Sequence, residues 1–149
     1  MLRKKLLNPF LFLMGICVLT HPAFADNRGE LEAGDVRVAW VAFNSPFLKP
    51  DIARAAGLTR EDGLAYINVS VYRADRTLPA QLDGVVTNLL GQKETLVFKA
   101  IREQNAVYYL APFHFNSEEI QRLDVQVRPE GTEHPITFKG RLKLWKEGT

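Results

Sequence analysis

From Val36 to Leu144 apolar and polar residues keep alternating with a period of two. No other feature constrains the fold as strongly. A strand sends successive side chains to opposite faces, so this period is what a sheet with one buried face requires. "DVRVAWVAFN" sets Val36, Val38, Trp40 and Ala42 against Arg37, Ala39, Val41 and Phe43, and "LAYINVSVYR" sets Ala65, Ile67, Val69 and Val71 against Tyr66, Asn68, Ser70 and Tyr72. The same rhythm runs through "AQLDGVVTN", "ETLVFKAI", "AVYYLAPF", "RLDVQVR" and "HPITFKGRLKLW". Seven such runs with short turns predict an all-β, immunoglobulin-like β-sandwich of about seven strands. A small barrel is the alternative. "LLGQK" predicts a hairpin, with Gly91 taking the positive φ of its turn; Leu89 and Leu90 beside it either plug the end of the core, the favoured reading, or form an exposed apolar pair. Lys139, Arg141 and Lys143 share one face of the last run, as expected of a protected edge.

"AFNSPFLKPDIARAAG", residues 42–57, breaks the pattern. Pro50 suits a first helical turn, Asp51 favours the positive end of the dipole, and Gly57 stands where a C-terminal cap belongs. These signals predict one short helix near residues 50–56. A helix so short cannot stand alone in water, so it must dock, here through Ile52, Ala55 or Ala56. It is expected to carry the chain from one sheet to the other. Pro46 and Pro50 stiffen the loop around Phe47 and Leu48, which either fold down as a lid or present a binding anchor.

"MLRKK", the apolar run ending in "CVL" and the small residues of "AFA" read as a signal peptide over residues 1–25, with cleavage before Asp26. The run is shorter than the about twenty apolar residues of a spanning helix, so no stable membrane span is expected after cleavage. Residues 26–33 read as a flexible N-terminal segment and 34–149 as a single domain. The full chain has nineteen Lys and Arg against seventeen Asp and Glu; losing Arg3, Lys4 and Lys5 leaves sixteen against seventeen. The basic balance therefore belongs to the signal, and no electrostatic footprint for nucleic acid or an anionic membrane is expected on the mature chain. Cys17, Met1 and Met14 depart with it. The mature chain then has no thiolate nucleophile, disulfide or sulfur ligand for a metal, and no cofactor is expected.

Catalytic chemistry finds little support. His114 and His134 form neither a His-x-His pair nor a His-Glu helix motif, though a fold bringing them near Glu118 or Glu133 would make a metal site. Ser45, Ser70 and Ser117 lack a Gly-x-Ser-x-Gly elbow, and Ser45 in "NSP" is better read as a turn former. Glu61/Asp62 and Glu118/Glu119 are adjacent carboxylates of the kind that solvate loops. "NVS" at Asn68 matches a glycosylation pattern but falls mid-strand. Tyr108 and Tyr109 must point to opposite faces, one into the core and the other outward, where it either offers an amphipathic contact surface or stiffens the sheet as part of a cross-strand pair.

"AFNSPFLKPDIARAAGL", "INVSV", "TNLLGQK", "IREQNAVYYLAPF" and "ITFKGRLKLW" occur in that order. Together they resemble a bacterial family catalogued as domain of unknown function 4426, over nearly all of residues 34–145. "TREDGLAYINVS" departs from the family pattern, with Arg60 its clear match. The resemblance implies an exported β-sandwich of Gram-negative bacteria, hence a periplasmic protein, and implies no catalytic residues. The expectation is a non-enzymatic module that binds a periplasmic protein or envelope component. Its binding residues would be Asn44, Ser45, Phe47, Leu48, Asn88, Gln92, Tyr108 and Tyr109. The alternative is a small-ligand carrier with a pocket under residues 42–57, where Asn68, Asn88 and Gln92 orient the ligand.

Overall fold

The structure, a computed structural model, describes residues 27–146. The expected signal peptide, with Cys17, Met1 and Met14, lies outside the described residues. The chain forms β1 (Arg28–Ala33), β2 (Val36–Asn44), a 3-10 turn (Ser45–Phe47), α1 (Pro50–Ala56), β3 (Leu64–Arg73), β4 (Arg76–Thr77) and β5 (Ala80–Thr87). It continues through β6 (Lys93–Leu96), β7 (Lys99–Glu103), β8 (Ala106–His114), β9 (Ile120–Pro129) and β10 (Ile136–Lys143). Strands β1-β2-β3-β8-β7, with β4 on β3, make a six-stranded sheet; β10-β9-β5-β6 make a four-stranded one. All pairings are antiparallel. Two open sheets face each other, so the chain is a β-sandwich and not a barrel.

The inner faces carry the alternation read from the sequence. Val38, Ile67, Val69, Val71 and Phe113 of the larger sheet meet Val86, Leu123, Val125, Val127 and Leu142 of the smaller, each at most 1% exposed. Burying one such side chain is worth about 1.5–3 kcal/mol. Trp40 stacks on Phe138 with centroids 5.6 Å apart. The space for its indole comes from Gly140, where a Cβ would lie 2.7 Å from the ring.

Several elements differ from the sequence expectation. Residues 28–33, expected to be a flexible start, form β1 in a six-residue register with β2. Its hold is mainly backbone pairing, helped by an Arg37–Glu30 ion pair of 3.3 Å. The Asn27 amide then brackets Lys143, donating to its carbonyl at 2.8 Å and accepting its N–H at 2.9 Å. "ETLVFKAI" is two strands, because the chain leaves one sheet after Leu96 and enters the other at Lys99. Leu89 and Leu90, expected in the core, are 71% and 83% exposed at the tip of the β5–β6 hairpin.

The helix also departs from expectation. It joins β2 to β3, which are neighbours in one sheet, so it does not cross between sheets. It lies over the outer face of the six-stranded sheet instead. Its buried contact is Ala53, whereas Ile52 stays 47% exposed. Gly57 ends it at φ +66°, its N–H donating to Arg54 O, and Leu58 N–H donates back to Ala53 O.

Candidate functional site

The outer face of the six-stranded sheet is apolar where a solvated face should be polar. Leu64, Tyr66 and Leu110 form a second small core there, joined by Phe43, Leu48, Leu58, Ile101 and Tyr108. The four-stranded sheet covers the opposite face, so only α1 and its flanking loops can shield this one. Seven helical residues are too few to close it. An open cleft of about 540 Å³ remains between α1 and the sheet, lined among others by Phe43, Leu48, Ile52, Leu58, Ile101 and Tyr108.

The walls of this cleft are fixed by buried polar contacts. Ser45, fully buried, donates through Oγ to Glu61 O at 2.7 Å and accepts Glu61 N–H at 2.8 Å. Tyr66 Oη accepts Thr59 N–H at 2.9 Å and donates to Thr59 O at 3.1 Å. Asn44 donates to Trp145 O at 2.6 Å, tying the C-terminal stretch to the end of β2. At the rim, Lys99 Nζ donates to Ala56 O at the end of the helix. Tyr108 donates to Glu103 Oε1 at 3.0 Å. Burial first, then the Glu103 hydrogen bond and charge, hold the Tyr108 phenol above the usual tyrosine range.

The predicted residues therefore scatter by role. Leu48 and Tyr108 line the cleft. Phe47, next to Leu48, turns outward and is 68% exposed. Tyr109 points inward, and its hydroxyl accepts Ala80 N–H at 2.8 Å, linking the two sheets. Ser45 and the Nδ2 of Asn44 are spent on the chain's own backbone, while Asn44 Oδ1 is buried without a hydrogen-bond partner. Asn88 and Gln92 bond each other at 2.6 Å and shape the β5–β6 turn, with Asn88 Oδ1 accepting the N–H groups of Leu90 and Gln92. Asn68 sits on β3, in the wall of the α1 cleft, while Asn88 and Gln92 border a different depression beside His114.

His114 is engaged by Glu94. Its Nδ1 lies 2.8 Å from Glu94 Oε1, and its backbone N–H donates to Glu94 Oε2 at 2.9 Å, bridging the sheets. It precedes β9 while His134 follows it, so the ten residues of that strand, about 30 Å long at about 3.3 Å per residue, run between them. Among the described residues no three His, Cys, Asp or Glu side chains are grouped to hold a metal ion.

Phe43, Tyr66, Leu58 and Ile101 were not singled out from the sequence as site residues. A signal existed in "AWVAF" and "LAYI", where the supposedly solvated phase carries Val41, Phe43, Leu64 and Tyr66. Apolar residues on both phases mark a strand covered on both sides.

Fold and site define a two-sheet β-sandwich whose outer face is half covered by a short helix over an open apolar cleft. The chain belongs to the family described as Domain of unknown function (DUF4426), whose model matches residues 30–147. A DUF4426 family protein from Pseudomonas aeruginosa PAO1 is similar in structure, at TM-score 0.73 and 29% identity over 81% of this chain and 97% of that one. A copper-bound variant of FetP from uropathogenic Escherichia coli strain F11 shares the fold at TM-score 0.57 and 11% identity, covering 80% of this chain and 95% of its own. FetP from the same strain, expressed in the periplasm of E. coli, aligns at TM-score 0.57 and 9% identity over 82% and 95%. No curated protein matches the chain.

Proposed function

We propose that the protein is a non-enzymatic periplasmic binding module that engages a protein or envelope component through the α1 face of its larger sheet. The observation that carries this reading is the incompletely covered apolar face. Phe43, Leu48, Ile101 and Leu110 wall a cleft that stays open, while Ile52 and Phe47 stand exposed beside it. A scaffold pinned by Ser45 and Tyr66 keeps that cleft from collapsing, so a partner's apolar side chain enters a preformed site at low entropic cost. The export reading rests on the N-terminal sequence, with the support of a sandwich fold shared with a protein recombinantly expressed in the periplasm. The copper of the FetP variant is that protein's own. No ligand grouping among the described residues here argues for carrying it over.

The test is affinity capture from envelope extracts with two baits, the natural protein and Ile101→Lys. A lysine at that place fills the cleft with a charge at a position that is only half-buried. A partner retained by the first bait and lost with the second supports the reading. Equal recovery by both, or recovery by neither, counts against it.

A small-ligand carrier remains the second reading, favoured by one observation. Asn68 Oδ1 is buried in the cleft wall without a hydrogen-bond partner, and the cleft volume falls within the range of about 300–1,000 Å³ typical of ligand pockets. Native mass spectrometry of protein purified from its own host would show a co-purifying mass if this reading holds. An unmodified mass throughout speaks for the first.

A further inference from the structure

The four-stranded sheet carries a second surface, on the opposite side of the sandwich from the α1 cleft. Register alignment places Lys93, Thr87, Arg122 and Arg141 side by side across all four strands, on the outward face. Arg122 and Arg141 are direct cross-strand partners, so two arginines start from adjacent positions on one face. Edge protection accounts for Lys139, Arg141 and Lys143 on β10 but not for Arg122 on the interior strand β9. These cations border a broad depression of about 870 Å³ that also takes in Lys139 and Arg28.

Large apolar side chains stand at the same end of this sheet. The β5–β6 turn just beyond Thr87 and Lys93 exposes Leu89 and Leu90 at 71% and 83%, and Trp145, just beyond Lys143, is 51% exposed. Lys143 Nζ lies 5.3 Å from the centre of the Trp145 ring. Opposing charge is interspersed: Asp124 lies 3.7 Å from Lys139, Glu30 borders the same depression and pairs with Arg37, Asp83 is exposed further along β5, and Glu118 and Glu119 lie in the β8–β9 connection. Exposed leucines and a tryptophan at a tip, backed by a row of Lys and Arg, are what a bilayer interface selects. The apolar groups enter among the headgroups, tryptophan prefers that depth, and cations pair with lipid phosphates.

We propose that this end of the four-stranded sheet docks the protein on an anionic phospholipid surface. Leu89, Leu90 and Trp145 enter the headgroup layer, and Lys93, Arg122, Arg141 and Lys143 lie against the phosphates. The proposal is independent of the α1 cleft, which lies on the other sheet and stays free for its own partner.

The test uses protein purified after export, its processing confirmed by intact mass, with vesicles of phosphatidylethanolamine and phosphatidylglycerol or of phosphatidylcholine alone. Binding to the anionic vesicles that weakens with salt is expected, together with a blue shift of tryptophan emission that Trp145→Phe removes. Trp40 is buried and contributes no shift. Leu89→Ser with Leu90→Ser, and separately Lys93→Gln with Arg122→Gln, each weaken binding by about tenfold or more. Circular dichroism should show both double variants folded, since the leucines are exposed and the cations sit on the outer face. The proposal is overturned by no binding to anionic vesicles, by equal binding to phosphatidylcholine, or by binding that survives both double variants. A photocrosslink from Leu90 to a protein without vesicle binding would make the surface a protein contact instead, and would overturn it too.

Discussion

Ser45 shows how a polar residue in a loop can be spent on the fold. Its hydroxyl serves both the N–H and the carbonyl of Glu61 from a position with no exposure to water. Ser45→Ala leaves both groups without that partner, and the expected loss is about 1–2 kcal/mol. A urea titration should show it as a lower midpoint at unchanged slope. Tyr108 makes a prediction in pH. Its phenol is held above the ordinary value of 10.0, chiefly by burial, so the folded protein favours the protonated form. The associated stability is complete below pH of about 10, where the phenol is protonated in both states, and is lost as pH rises through the folded value. Between the ordinary value and the raised folded value the natural protein loses stability more steeply than Tyr108→Phe, which urea midpoints at rising pH will show. The sequence marked Asn44, Ser45, Asn88 and Gln92 as able to bond but not what they bond. Their partners are backbone groups, or each other, reached only once the chain has turned.

α1 is legible as a helix from its letters and not in its placement. Pro50, Asp51 and Gly57 are local signals, and all three stand where a helix of residues 50–56 needs them. Which sheet it covers depends on β2 and β3 being neighbours, a long-range fact that no window of sequence contains. Its docking residue, Ala53, is equally obscure locally, because three alanines in "IARAA" offer the same small surface. The αL cap makes a specific prediction. Gly57→Ala, at φ +66°, should cost about 1–2 kcal/mol. Hydrogen exchange should show the loss first in α1 and the Leu58 amide, with the central strands β3 and β9 protected as before. Leu89 and Leu90 illustrate the converse failure: adjacent apolar letters favour burial on average, yet the hairpin tip projects beyond anything that could cover them.

At the scale of the molecule, period-two alternation foretold an all-β chain with buried inner faces from Val36 to Leu142 and favoured a sandwich, but the pattern alone does not separate a sandwich from a small barrel. It could not foretell how strands divide between sheets, as the crossing at Val97 and Phe98 inside one apolar run shows. Nor could it reveal β1, whose polar residues are held by pairing with β2 and by Asn27. The same division of sheets creates the asymmetry on which the proposed function rests. One sheet must bury its inner face and still offer apolar residues outside, and a helix of seven residues covers them only in part. The central claim is that this half-covered face meets a partner. Photocrosslinking in living cells tests it most directly, with the probe at Ile52 on the lip of the cleft and, as control, at exposed His134 beyond β9. A discrete adduct from Ile52, absent from His134 and lost when Ile101→Lys is added, is the predicted result. The same adducts from both positions, or none from Ile52 in a stably folded protein, would contradict it.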